Sequence, residues 1–178
     1  MRFGDFLRTA VLLFGAAGTA LAIAAIAGAS RDDDTLALTV AVAWWAVAAA
    51  AGLWLGRRMQ PSPGIARLLA GARSTNTLPE LEPGNVIFNR LWPLGLFTLA
   101  AGAVAFLVPP VPAIAAGYAI AVSLTWRKQA SAVQAIEERD GVQFHFDKSP
   151  PFGAPKLVRT PGLRKLELSG AQGSEVIP

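Results

Sequence analysis

Four apolar runs, none broken by a Lys, Arg, Asp or Glu, dominate the chain: Thr9 to Ala29, Thr35 to Gly56, Leu91 to Val108 and Val111 to Trp126. A hydrocarbon core about 30 Å thick takes roughly 20 apolar residues to cross as a helix. Lipid offers no partner to a free peptide group, so runs this long and this apolar satisfy their backbones as helices. The expected fold is an all-α integral membrane protein. Four transmembrane helices at about 9–29, 35–56, 91–108 and 111–126 form two hairpins, and a small cytoplasmic β-hairpin-like tail follows. Composition agrees. The chain is 53% hydrophobic and 16% charged, against about a quarter charged in soluble domains, and its mean hydropathy is +0.42.

Basic residues set the direction, because they gather on the cytoplasmic side of spans. Arg2 and Arg8 precede span one, five arginines lie in the 57–90 loop, and eight Lys or Arg follow span four. Arg31, between spans one and two, is the only basic residue that falls on the other side. Both termini are therefore expected in the cytoplasm, and the protein in the cytoplasmic membrane. Phe3, Phe6, Trp54, Trp92 and Trp126 fall near the same ends, as interfacial aromatics do. A pI near 10.1 would suit nucleic acid, but a nucleic-acid binder gathers its cations on one folded face. Here they flank spans, so no nucleic-acid partner is expected. Arginine exceeds lysine, 12 to 4, and alanine is abundant, as in a GC-rich bacterial genome. Ala27-Gly28-Ala29 behind a basic start also permits a cleaved signal peptide. The run from Ala10 is longer than an ordinary signal core, which favours a retained span.

Lipid gives helices no hydrophobic reason to associate, so small residues that allow close approach matter. Ala16, Ala20, Ala24 and Gly28 share a face of span one. Ala48, Gly52 and Gly56 do so in span two, and Ala113, Gly117, Ala121 and Thr125 in span four. These faces suit contacts within the bundle, with a second copy or with a protein partner. The "VPPVP" stretch after span three cannot continue a helix and forces a tight hairpin. In the 57–90 loop, Ile65, Leu68, Leu69 and Ala72 share a helical face suited to the lipid interface, and "STNTLPELEPGN" reads as loop.

Residues able to carry chemistry are few. With no cysteine, disulfides, thiolate catalysis and cysteine metal sites are excluded. Asp32, Asp33 and Asp34 could hold a divalent ion, but adjacent carboxylates at a helix start diverge. Asp33 or Asp34 is expected to cap span two instead. His145 is the sole histidine. Alternation in "VQFHFD" puts Val142, Phe144 and Phe146 on one strand face and Gln143, His145 and Asp147 on an exposed one. No paired-histidine haem site, phosphate loop, dinucleotide fingerprint or hydrolase triad spacing occurs. No ionisable residue lies within a span, which disfavours proton-coupled transport. A cavity lined by Thr39, Thr98, Tyr118 and Ser123 would favour a pore or transporter. Thr19 and Thr125 are the other polar span residues, and Trp44 and Trp45 are expected to pack. No catalytic, cofactor-binding or metal residue is assigned.

Residues 1–130 are thus expected as the membrane domain, 131–166 as a cytoplasmic helix extension and hairpin, and 167–178 as a disordered tail. The fourth helix should run on through "KQASAVQAIEER" to Asp140-Gly141. Strands "GVQFHFD" and "KLVRT" should flank the turn "KSPPFGAP". Two strands alone are barely stable, so they need a surface, either this chain's loop or another protein. The tail was expected to be dispensable for the bundle. The Arg57-Arg58 pair, the loop of about thirty residues and the Trp92-Pro93 start of span three give the membrane part a layout. That layout is similar to the small four-helix accessory subunit of actinobacterial cytochrome c oxidases. The likeness implies an accessory role, stops at Gly141 and transfers no functional residue. The expected function is a non-catalytic accessory or interaction subunit of a membrane complex. The alternative is a small transporter, channel or lipid-binding bundle. The absence of cysteine makes the topology directly testable. A cysteine introduced at Thr35 should react with a membrane-impermeant maleimide in intact cells, and one at Gln60 only after lysis.

Overall fold

The computed structural model describes residues 1–31, 34–75, 83–105, 107, 108, 110–147 and 155–161. The expected disordered tail at 167–178, the turn at 148–154, Asp32, Asp33 and most of the loop at 76–82 lie outside the described residues. Among the described residues, three helices are long and apolar enough to cross a membrane: α1 (Phe3–Arg31), α2 (Thr35–Leu55), and α4 (Pro83–Val104) over Gly84–Val104. The fourth apolar run forms α5 (Pro110–Trp126), which has 17 residues and is shorter than those three. The apolar run expected from Leu91 belongs to a helix that begins earlier. That helix starts at Pro83, because Pro83 and Gly84 fit a first turn, where no intrahelical donor is needed. Pro93 sits inside α4. Pro110 and Pro112 open α5 for the reason that lets proline begin a helix.

Helix α5 is the axis of the bundle, with α1 on one side, α2 on another, and α4 against α1 and α5. Small residues permit this. A Cβ on Gly18 of α1 would lie 3.3 Å from the Ala119 Cβ, and one on Gly52 of α2 only 2.8 Å from the Ala121 carbonyl oxygen. Gly56 lies against the Leu124 carbonyl and Thr125, and Gly117 against the Trp44 indole. The ladders of α2 and α5 are therefore consumed inside the chain. That of α1 is displaced by one residue. Ala17, Leu21, Ala25 and Ala29 are buried, while Ala16 and Ala20 stay exposed. Leucine at 21 fills the wider space between helices, which a count of small residues alone does not register.

One end of the bundle carries a compact cap. The expected continuous fourth helix is broken at Arg127-Lys128, and α6 (Gln129–Asp140) begins anew. Gly141, with φ 65°, takes the left-handed conformation that ends α6 and turns the chain into β2 (Val142–Phe146). Strand β3 (Leu157–Pro161) pairs antiparallel with β2, Phe144 opposite Arg159 and Phe146 opposite Leu157. The two residues of β1 (Arg73–Ser74), from the 57–90 loop, pair parallel with β3. At the opposite edge Arg2 bridges to His145, and the Phe146 N–H donates to the Met1 carbonyl at 3.4 Å. The surface these strands needed is thus supplied by the chain itself, through its loop and its first two residues.

Beneath the sheet, Phe3 and Leu7 of α1, Ile65 of α3 (Pro63–Ala70), Val86, Ala130, Val133, Phe144, Phe146 and Leu157 form one apolar core. Phe146 meets Phe3 and Phe6 edge-on, ring centroids 5.5 and 4.9 Å apart. The α3 face expected on lipid is covered by protein instead. Ile65 is 6% exposed, and Leu68, Leu69 and Ala72 pack against the same core. Truncation after Gly141 would remove Phe144, Phe146 and Leu157 from the core they share with Phe3 and Leu7. Phe146→Ala should cost about 3–5 kcal/mol, as truncations of a buried phenylalanine do. A lowered thermal midpoint in nanodiscs would show it, and an unchanged midpoint would mean that the sheet does not hold the cap.

Candidate functional site

Two features at the cap end draw polar groups together. The first is an open cleft of about 480 Å³ between the opening turns of α1, the C-terminal half of α6 and the start of β2. Arg2, Asp5 and Arg8 line it from α1, and Gln134, Glu137 and Glu138 from α6. The Arg8 guanidinium donates to Gln134 Oε1 at 3.1 Å, and the Gln134 amide donates to Glu138 at 2.9 Å. Glu137 accepts the Phe144 backbone N–H at 2.9 Å, tying the last turn of α6 to β2. Burial raises the Glu137 carboxyl above its usual range, although the Phe144 bond and Arg2 pull it down. Charges of both signs line the cleft, so it favours neither an anion nor a cation. Its bonds serve to hold α6 on α1. Sequence reasoning missed this cleft. A glutamate one turn before a helix-ending glycine was the only local signal.

The second is His145, expected exposed and found 7% exposed. It lies on the sheet face opposite Phe144, paired across to Val158, and Arg2 flanks it on the other edge. The Thr160 hydroxyl, itself buried, donates to the Gln143 carbonyl at 3.3 Å and lies 3.4 Å from His145 Nδ1. With that hydroxyl proton engaged, its lone pair suits a neutral imidazole protonated at Nδ1. Alternation assigned the faces correctly but not the burial.

Elsewhere the polar residues singled out in the sequence serve the helices. The Asp34 carboxylate caps α2, accepting the Ala37 N–H at 2.9 Å, as expected. Thr19, Thr39, Thr98 and Thr125 each donate to a carbonyl four residues back in their own helix. Ser123 reaches across to the Val11 carbonyl at 3.1 Å and so links α5 to α1. Tyr118 is exposed, edge-on to Trp44 at 5.6 Å. Thr39, Thr98, Tyr118 and Ser123 line neither the cleft at the cap nor the apolar cavity beside Trp44 and Trp45. Trp44 and Trp45 donate their indole N–H groups to the carbonyls of Ile114 and Ala113, at 3.3 and 2.8 Å. Both indoles also line an apolar cavity of about 400 Å³ at the far end of α1, α2 and α5. Among the described residues, no group of three His, Cys, Asp or Glu side chains could hold a metal ion.

Comparison with models of protein families, with curated proteins and with solved structures gave no match. The layout shared with the oxidase accessory subunit therefore rests on Arg57, Arg58, Trp92, Pro93 and the loop length alone.

Burial lowers the basicity of His145, and the N-terminal ammonium and Arg2 add to this, against the Gln143 backbone bond and Asp5. A depressed folded-state value means the unfolded chain binds the proton first. The contribution to stability is full above the ordinary histidine value near 6.5 and is lost as pH falls below it. Glu137, raised in the fold, acts in the opposite sense as pH falls toward its ordinary carboxylate value. The cap should lose thermal stability as pH drops from about 7 toward 5. His145→Asn should flatten that slope, and an unchanged slope would remove His145 as its cause.

Proposed function

We propose that this protein is a non-catalytic integral membrane subunit that binds a partner through the outer face of α4. In this reading the chain crosses the cytoplasmic membrane four times with both termini in the cytoplasm. Helix α5 is the fourth span. Its 17 residues rise about 26 Å, close to the hydrocarbon thickness, and Trp126 ends it where an interfacial aromatic belongs. Helix α1 is retained rather than cleaved, since Phe3, Leu7 and Leu21 contribute to the cores of cap and bundle. The cap then sits on the cytoplasmic side.

Helix α4 carries the proposal. Phe88 and Leu99 are 73% and 74% exposed, and Leu96 and Phe97 are exposed as well. Gly95 and Gly102 have nothing within 4 Å of the place a Cβ would occupy. Glycine in a helix costs about 1 kcal/mol relative to alanine. Those of α2 and α5 are used for contact inside the chain, and those of α4 are left open. A small-residue face flanked by large apolar side chains suits another helix.

The apolar cavity beside Trp44 and Trp45 supports a second reading, a bundle that holds a lipid chain. In-membrane crosslinking separates the two. Single cysteines at Gly95 and Gly102 should trap a partner or second copy in stoichiometric yield, while one at Val42 on α2 should not. Equal, low yields from all three positions would leave the lipid-holding bundle as the better reading.

A further inference from the structure

Two dibasic pairs lie seventy residues apart in sequence, Arg57-Arg58 after α2 and Arg127-Lys128 after α5. The fold brings them to one place. Helices α2 and α5 run in the same direction and are in backbone contact at their final turns, where Gly56 lies against the Leu124 carbonyl and a Cβ on it would be 3.2 Å from the Thr125 Cα. The Lys128 ammonium donates to the Arg57 carbonyl at 3.4 Å. Gln129 fastens the same segment from below. Its amide donates to the Gln60 carbonyl at 3.4 Å, and its Oε1 accepts the Ser62 N–H at 3.0 Å.

Four cations are thus held together by backbone contacts that do nothing to neutralise them. The single ion pair among the described residues is Arg139–Asp140, so none of the four has a carboxylate within 4.0 Å among those residues. Arg57, Arg58 and Arg127 are exposed, and Lys128 is half-buried. Directly above them the helices are apolar, and Trp54 and Trp126 stand at the same level. A concentration of positive charge at the boundary of an apolar bundle calls for an anion that itself sits at that boundary. The polar cleft at Arg2 and Arg8 differs, because Asp5, Glu137 and Glu138 line it beside those arginines.

We propose that Arg57, Arg58, Arg127 and Lys128 form a binding site for the phosphate headgroup of an anionic phospholipid of the cytoplasmic leaflet. The two arginines of the first pair present forked donors to phosphate oxygens, and Lys128 supplies a compact charge beside them. The site rests on the reading that α2 and α5 span the bilayer.

The full chain, reconstituted in nanodiscs of phosphatidylcholine with a minor share of phosphatidylglycerol, would be released and its retained lipids weighed by native mass spectrometry. Phosphatidylglycerol should be retained in preference to phosphatidylcholine, and less so as salt rises. Each cation changed to glutamine should lower that preference about fivefold, the equivalent of about 1 kcal/mol per basic residue. The same number of changes at Arg67, Arg73, Arg139 and Arg159 should leave it intact. Loss of preference in that control, a preference indifferent to salt, or none in the unmodified chain would overturn the proposal. Displacement of the lipid by inorganic phosphate would also overturn it, by assigning the site to a soluble anion. Should a glutamine variant fail to fold, the salt series on the unmodified chain still decides. Release of the chain by alkaline extraction would instead refute the spanning helices, whereas retention without lipid preference would refute the headgroup site alone.

Discussion

The whole arrangement depends on how closely α2 and α1 can approach α5. In the proposed bilayer setting there is no solvent to expel from between helices, so association rests on van der Waals contact, which falls away steeply with distance. Gly52 and Gly56 place α2 against the backbone of α5, while Gly18 does the same for α1. Indole N–H bonds from Trp44 and Trp45 to α5 carbonyls fix the register at the other end. Any bulk at these glycines would separate the helices and move every element attached to their ends.

Those ends are where the cap is assembled. Its sheet draws on the first two residues, a two-residue strand from the central loop and the C-terminal hairpin, so it forms only where the bundle brings these segments together. Its core includes the first turns of α1. Bundle and cap are therefore coupled through Phe3, Leu7 and Phe146, and through the Phe144–Glu137 bond that joins β2 to α6. A tail that reads in isolation as a partner-seeking hairpin is occupied by its own chain. The proposed partner surface is therefore α4, whose large apolar residues are exposed and whose Gly95 and Gly102 have nothing against them.

Much of the helical layout was legible in the sequence because a charge-free apolar run allows one backbone solution in lipid. Asp34 as a cap, Gly141 as a helix stop and the strand at 142–146 were equally legible, each fixed by local chemistry. What escaped was set by tertiary contact. The burial of His145, with Thr160 of β3 3.4 Å from its Nδ1, is one such case. The burial of Ile65 comes from a core it shares with residues distant in sequence, Phe3, Phe144 and Phe146 among them. The offset stripe on α1 depends on the gap that Leu21 fills, which spacing alone does not reveal. The two dibasic pairs were visible as markers of topology, but their meeting required the α2–α5 contact.

Coupling of cap and bundle is open to one direct measurement, amide hydrogen exchange of the full chain in nanodiscs, read peptide by peptide. Residues 142–146 and 157–161 should be protected together with the first turns of α1 and should open with them in a single step. Rapid exchange of both strands while α1 stays protected throughout would contradict the account and restore the tail as a free arm.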